Sequence, residues 1–345
     1  MARPHWRSRG EPALNSDLTY SAAFGEGVAE EMMANPDVFV LGTDLVHRGG
    51  HWAQIKGLAE RIGPGRIFDA PISEAAMVAT GVGAALAGMR PIIDLNFVDF
   101  AFGAMDEIAN QAAKIRFMLR HTLPVVVRAT AGIAHGGPQH NNSLEAWFMH
   151  MPGLALAVPS TPEDTKGLIK SALRMDDPVI FLMHKRLTGV RGPVGGPDHC
   201  VPFGSAAIRR PGTDCTIVSY GGAMAKSLEA AERLAEEDIL TEVIDLRTLA
   251  PLDLDTLVTS VKRTGRVVVV DEAPRFAGAS AEIAAAIQEA AFTYLDAPVM
   301  RVAALRSPIP EGSQSSIDRL LPSADGVIAA VRATFTAFEP SALSR

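Results

Sequence analysis

Short β-branched runs alternate with segments of helical periodicity along almost the entire chain, and that alternation leaves few folds open. Val38–Leu41 reads as a buried strand, followed by a loop through Gly49 and Gly50. Arg66–Phe68 is a second strand, after which a helix begins near Ser73, and Pro91–Ile93 is a third. Met105, Ile108, Ala112, Ile115 and Leu119 then share one helical stripe. Val125–Val127, Leu154–Val158 and Val179–Leu182 continue the strands, with helices around residues 144–149 and 163–173. Strands joined by helices require crossovers, so the sheet is expected to be mainly parallel and covered on both faces.

The alternation breaks once. Arg186–Gly204 is dense in Gly and Pro, has no period, and reads as a linker. Beyond it come strands at Cys215–Val218, Glu242–Asp245, Val267–Val270 and Met300–Val302, with helices between them and a last helix after Ser323. The expected architecture is α/β with two doubly wound domains, residues 17–187 and 205–340, joined by the linker 188–204 and preceded by a loose leader, residues 1–16.

Composition excludes several classes. The chain has 345 residues and is 48% hydrophobic and 21% charged, which fits packed cores and not disorder. Its formal net charge of −7 gives no electrostatic case for nucleic acid. The longest mostly apolar stretch, Met77–Met89, is well short of the roughly 20 residues a membrane span needs. Only two cysteines, Cys200 and Cys215, are present, which suits a reducing cytoplasm. The leader carries Arg3, Arg7 and Arg9 but no apolar core, so it does not read as a secretory signal.

Common catalytic motifs are missing. There is no Walker A loop and no Gly-x-Ser-x-Gly elbow. Gly81, Gly83 and Gly88 fall inside a helix pattern and read as close-packing positions, not a dinucleotide fingerprint. His47-x₃-His51 would offer two imidazoles to one metal on a helix, but the intervening Arg48-Gly49-Gly50 favours a loop.

Three local features remain, each expected at the carboxyl edge of the parallel strands, where ligands bind in such sheets. Pro71-Ile72-Ser73-Glu74 puts a carboxylate in the first turn of a helix directly after a strand. Asp99-Phe100 opens another helix after the third strand, and Gly132–His140 is a glycine-rich loop ending in Gln-His. Each also has a plainer reading. Glu74 complements a helix dipole, Phe100 belongs to the core, and His140 bonds its own loop while Asn141, Asn142 or Ser143 caps the next helix.

The stretches DAPISEAA, GVGAALAGMRPIID, DEIANQAAKIRFM, PQHNNSLEAWFMHMPGL and PSTPEDTKGLIKSAL, in that order, resemble the beta subunit of the thiamine-diphosphate-dependent decarboxylase component of 2-oxo acid dehydrogenase complexes. GTDCTIVSYG, EVIDLRTLAPLD, TGRVVVVDEAP and AFTYLDAPVMRV resemble the same subunit's C-terminal domain, which is shared with transketolase. Pyruvate, branched-chain and acetoin enzymes share the pattern, so the resemblance implies the family more sharply than the substrate. It implies a thiamine pyrimidine-binding domain followed by a transketolase C-terminal-like domain.

What the resemblance implies about residues is specific. Glu74 matches the acid that shares a proton with the pyrimidine ring of thiamine diphosphate. Ile72 and Phe100 would supply apolar walls around it, with Phe100 packed on the pyrimidine. His140 matches a histidine that hands a proton to the lipoyl sulfur during acyl transfer, a task suited to an imidazole. The Gly-Asp-Gly loop with a downstream Asn that would hold the Mg²⁺ diphosphate is not in this sequence; in the family it lies on an alpha subunit. The implied assembly is α₂β₂, docking on a lipoyl acyltransferase core. Backbone carbonyls near Val125, Ala172 and Asp177 match a K⁺ site. The chain departs from the family at FMLRHTL (residues 117–123), at Asn141 where Ser is usual, and at PIPEGSQSSIDRLLPS (residues 308–323). One half of a split transketolase is the alternative, with His121, Arg128 and His135 as candidate sugar-phosphate ligands.

Overall fold

The computed structural model describes residues 14–63 and 65–336. They form two compact units, one of residues 14–205 with Arg247–Pro251, the other of residues 206–246 and 252–336. The first unit runs β1 (Leu14–Thr19), α1 (Tyr20–Ala34), β2 (Val38–Gly42), α2 (Leu58–Ile62), β3 (Ile67–Asp69), α3 (Glu74–Leu86), β4 (Arg90–Phe97), α4 (Ala113–Leu119), β5 (Val126–Ala131), α5 (Glu145–Met149), β6 (Ala155–Ala157), α6 (Pro162–Arg174), β7 (Val179–His184) and β8 (Arg191–Gly195). The second runs β9 (Ala207–Arg210), β10 (Cys215–Ser219), α7 (Ala223–Ala235) and β11 (Thr241–Asp245). After β12 (Thr248–Ala250), which belongs to the first unit, it continues with α8 (Leu254–Thr264), β13 (Val267–Pro274), α9 (Ala279–Ala291), β14 (Met300–Ala304), α10 (Gln314–Asp318) and α11 (Ala324–Ala333).

The main sheet of the first unit has the order β12-β6-β7-β5-β4-β2-β3 and is parallel except for β12. Every residue of β5 and β7 is buried, as expected of central strands covered on both faces. Tyr20, Phe24, Val28 and Met32 of α1 join Leu168, Ile169 and Leu173 of α6 and Phe181 of β7 in one core, each large side chain contributing about 1.5–3 kcal/mol by its burial. A Cβ on Gly27 would stand 2.6 Å from Ile169, so the two helices approach as closely as they do because that position is glycine. Lys166 and Lys170 of α6 pair with Glu30 of α1 across the same contact, at 2.7 and 2.6 Å.

In the second unit the order is β14-β13-β10-β11-β9, again parallel except for one edge strand, β9. Ile217, Val243, Val268 and Val270 pack with Leu234 of α7 and Val327 and Val331 of α11. Asp253 caps α8 by accepting from Thr256 N at 3.0 Å, and Gly265 ends it at φ +65°.

Four local expectations give way. Residues 186–204 are not an unstructured linker: β8 lies within them and pairs antiparallel with β1. Its proline escapes the usual penalty because a two-stranded ribbon has edges on which no ladder bond is lost. β1 also takes in Leu14–Ser16 of the expected leader, whose remaining residues, 1–13, lie outside the described ones. The helix expected through Met105–Leu119 begins as a 3₁₀ turn (Val98–Ala104) and a π segment (Glu107–Ala112) before α4. Ile108, Ala112 and Ile115 of the stripe stay buried, while Leu119, in the last turn of α4, is 62% exposed.

The glycine cluster divides as well. Gly81 is a close-packing position, with a Cβ there 2.6 Å from Ile93 of β4. Nothing lies near Gly83 or Gly88. Gly88 instead turns the chain out of α3 at φ +95°, with Gly88 N bonding Ala85 O and Met89 N bonding Ala84 O, both at 3.0 Å.

Candidate functional site

The loops that follow β2, β3, β4, β5 and β7 all leave the same, carboxyl edge of the main sheet, because these five strands are parallel neighbours. Glu74, Phe100 and His140, separated widely in sequence, each follow one of these strands, as the sequence predicts.

Glu74 is the first residue of α3, half-buried, and no side chain among the described residues pairs with its carboxylate. Ala70 N bonds Gly42 O at 2.7 Å, tying the turn before α3 to the end of β2. The helix packs on β4 and along the Val98–Ala104 turn that carries Phe100. Ile72 does not wall the carboxylate within this chain; its side chain is 81% exposed.

Phe100 and His140 belong to one aromatic cluster, with ring centres 5.7 Å apart. Its centre is Phe97, which meets Phe100 at 5.7 Å, His140 at 5.1 Å, His51 at 4.9 Å and Trp52 at 6.3 Å. His140 Nδ1 is 3.0 Å from Gly136 O. A carbonyl oxygen only accepts, so this bond places the proton on Nδ1 and leaves Nε2 to exchange protons with a ligand. The 132–140 loop is a built object. Lys185, buried at the end of β7, donates to Gly132 O at 2.9 Å and to His140 O, and its ammonium stands 5.3 Å over the Phe97 ring. Asn141 accepts from Ala134 N and donates to Gly137 O, at 2.7 and 2.6 Å. None of the expected residues caps α5. Asn141 closes its own loop, and Asn142 bonds Asp99, N–H to Oδ1, at 3.0 Å.

Beneath the cluster lies a buried ion pair, Arg128 of β5 with Asp94 of β4. Gln54 Nε2 donates to Asp94 Oδ2 at 2.6 Å, and Gln54 Oε1 accepts from Trp52 N at 3.0 Å. The loop bearing His51 and Trp52 is thereby pinned to β4. It is a loop, as the sequence predicts, with Gly49 and Gly50 at φ +77° and +84°. Burial holds the His51 imidazole below its ordinary pKa, and the charges of Arg48 and Arg128 together with His140 push the same way against Asp94.

The candidate sugar-phosphate ligands do not converge. Arg128 is fully buried on Asp94, and His121 precedes β5, at the opposite edge of the sheet from His140. Nor is there among the described residues a group of three or more His, Cys, Asp or Glu side chains able to hold a metal ion. The Val125 carbonyl accepts from Val179 N at 2.9 Å, the Ala172 carbonyl from Met175 N at 3.2 Å, and the Asp177 carboxylate pairs with Arg116 at 2.7 Å. Val125 and Asp177 lie at the amino ends of β5 and β7.

Sequence reasoning missed Phe97, Trp52, Lys185 and the Asp94–Arg128 pair, and weighed His51 only as a metal ligand and Asn141 only as a helix cap. The available signal was placement: Asp94, Phe97, Arg128 and Lys185 each lie within a few residues of the end of a strand already recognised.

An unpaired carboxylate and an aromatic face at the end of a parallel sheet fit a flat, nitrogen-bearing ring. They do not fit a diphosphate with its metal. Residues 16–190 match the family described as transketolase, pyrimidine binding domain, and residues 204–327 match transketolase, C-terminal domain. The chain is 43% identical over 330 residues to the acetoin:2,6-dichlorophenolindophenol oxidoreductase subunit beta of Cupriavidus necator, covering 92% of this chain and 97% of that one. It is 41% identical over 292 residues to the 2-oxoisovalerate dehydrogenase subunit beta of Bacillus subtilis, covering 84% and 89%. It is 40% identical over 331 residues to the pyruvate dehydrogenase E1 component subunit beta-1, mitochondrial, of Arabidopsis thaliana, covering 94% and 91%. Among solved structures, one described as a split gene transketolase, inactive beta4 tetramer, superposes with TM-score 0.76 at 28% identity over 91% of this chain and 97% of that one.

Proposed function

Because the chain belongs to the family of pyruvate, branched-chain and acetoin dehydrogenase beta subunits, built from transketolase-type pyrimidine-binding and C-terminal domains, we propose that it is the half of such an enzyme that activates thiamine diphosphate. The substrate is a 2-oxo acid or acetoin. The observation that carries this reading is the unpaired Glu74 carboxylate at the start of α3, beside the turn that bears Phe100.

Bound thiamine diphosphate supplies a nucleophilic carbon and a sink for the electrons released when a bond to the substrate carbonyl breaks. Glu74 shares its proton with a ring nitrogen of the pyrimidine, and that hydrogen bond is its task. Phe100 gives the ring an apolar face and Ile72 a second one. Exposed as it is in this chain, Ile72 is covered once the cofactor and partner are in place. His140 keeps Nδ1 on Gly136 O and uses Nε2 to hand a proton to the lipoyl sulfur that becomes a thiol.

The diphosphate and its Mg²⁺ belong to an alpha subunit of the same component. The assembly proposed is α₂β₂, with the C-terminal domain making the beta–beta contact and presenting a surface to a lipoyl acyltransferase core. A K⁺ held by the carbonyls of Val125, Ala172 and Asp177 would brace the amino ends of β5 and β7, remote from the chemistry.

The test is co-expression with the alpha chain and dye reduction driven by pyruvate, branched-chain 2-oxo acids or acetoin. Glu74→Gln is expected to keep the assembly and lose thiamine-dependent turnover; full activity in that variant would refute the role given to Glu74.

A further inference from the structure

His51 takes no part in the function proposed above, yet it shares a ring with the residue that does. Phe97 carries two imidazoles, His51 at 4.9 Å and His140 at 5.1 Å. The position of His51 is built, not incidental. Gly49 N bonds Leu45 O, Gly50 N bonds Asp44 O and Ile55 N bonds Gly49 O, at 3.0, 2.9 and 3.0 Å. A Cβ on Gly49 would stand 2.4 Å from the Lys56 backbone, and one on Gly50 2.2 Å from Gln54 Nε2. Gln54 anchors the turn on Asp94. The ring keeps an exposed edge while its other side rests on Phe97 and Trp52.

Charge decides what such a group can recognise. The groups acting on His51 are Arg48 of its own loop, Arg128 of β5, His140 of the glycine-rich loop and Asp94 of β4, and with burial their balance favours the neutral imidazole. The buried cations near the cluster are committed: Lys185 holds Gly132 O and His140 O, Arg128 holds Asp94, and Arg186 holds Ile133 O at 2.7 Å. Arg48 is solvated at the rim, 3.8 Å from Asp44 with both side chains exposed. A 2-oxo acid brings a carboxylate, which seeks a cation. A 2-hydroxyketone brings a hydroxyl, which a neutral imidazole can relieve of its proton.

We propose that His51 is the base for a 2-hydroxyketone substrate, and that this site takes that class in preference to 2-oxo acids. The inference rests on the function proposed above and narrows it. In the step, an imidazole nitrogen of His51 removes the hydroxyl proton and the O–H electron pair becomes the second bond of a departing aldehyde carbonyl. The carbon–carbon bond beside it breaks, and its electron pair stays with the acyl carbon, for which thiamine diphosphate is the sink. No external oxidant enters this step.

The experiment uses the alpha–beta holoenzyme with acetoin and pyruvate as probes. His51→Phe keeps an aromatic ring against Phe97 and removes the base, so kcat/KM for acetoin is expected to fall by about 10²-fold or more while that for pyruvate stays within about threefold. The acid limb of the acetoin pH profile, set by His51, should vanish in His51→Gln. His47→Ala, in the same loop but outside the cluster, should change neither substrate. A readout independent of turnover is modification of His51 by diethyl pyrocarbonate, followed by peptide mass spectrometry on the complex without thiamine: acetoin should protect His51 and pyruvate should not. Equal losses for both substrates in His51→Phe, failure of acetoin to protect, or a wild-type enzyme that consumes pyruvate and no hydroxyketone would each overturn the assignment to His51 and leave the thiamine function standing. Turnover of neither substrate would overturn both.

Discussion

Arg128 Nη1 lies 3.0 Å from Asp94 Oδ1, with both side chains sealed from water on adjacent strands of the main sheet. The pair is a hub. Asp94 also accepts from Gln54 Nε2 and from Asn96 N, and Arg128 Nη2 donates to Thr130 Oγ1 at 2.8 Å. Through Gln54 it sets the loop that carries His51 and Trp52.

Breaking that hub from one side should be costly. Arg128→Met leaves the Asp94 carboxylate buried without its cation, and the expected destabilisation is about 3–5 kcal/mol in a urea titration. Arg128→Met with Asp94→Leu should recover a large part of it, since neither charge is then stranded. A double variant as unstable as the single one would show that the pair contributes through its geometry, not through charge balance.

The two glycines of α3 should respond in opposite directions. Gly83→Ala adds a methyl where nothing lies near and removes backbone freedom from the unfolded chain, so a gain of about 0.5–1 kcal/mol is expected. Gly81→Ala presses a methyl onto buried Ile93 and should cost about 1–3 kcal/mol while displacing the helix that begins with Glu74. Thermal melts of the two variants decide it, and a stabilised Gly81→Ala would contradict the close packing described.

Acid should weaken the first unit through His199. Burial and the charges of Lys166 and Lys170 hold this imidazole below its ordinary pKa, against the opposing carboxylate of Asp164. The folded state therefore binds fewer protons than the unfolded one in that range. The contribution is complete above about pH 6.5 and is lost as pH falls through the lowered folded value. Melting temperatures at pH 7.5 and 5.5 should diverge more in the wild type than in His199→Gln; the same divergence in both would remove His199 as the cause.

The two thiols should be chemically distinct. Burial pushes the Cys215 thiol up to about 12, so at neutral pH almost none of it is thiolate. Cys200 is partly exposed. A native titration with an aromatic disulfide reagent is expected to modify Cys200 alone, with Cys215 reacting after unfolding.

The sequence was most legible where one residue's role depends on its own neighbours. The strands, the loop through Gly49 and Gly50, and the placement of Glu74, Phe100 and His140 after strands are all local consequences of spacing. Phe97 was passed over because an aromatic residue at a strand end looks the same whether it faces a core or two histidines. Asn141 read as a helix cap, yet its amide found better partners in Ala134 and Gly137 of its own loop. The winding of the helix through Met105 is not legible, because apolar spacing does not distinguish α from π winding when the wider turn falls between two buried positions, here Ile108 and Ile115.

Hydrophobic period is a property of consecutive residues, and it was enough to specify two α/β domains with mainly parallel strands. Which side chains meet depends on strand order, and strand order is set by how whole elements pack. Arg128 illustrates the division. In the sequence it is a cation available to a phosphate, whereas in the folded chain β4 and β5 are neighbours, and Asp94 claims it before any ligand can.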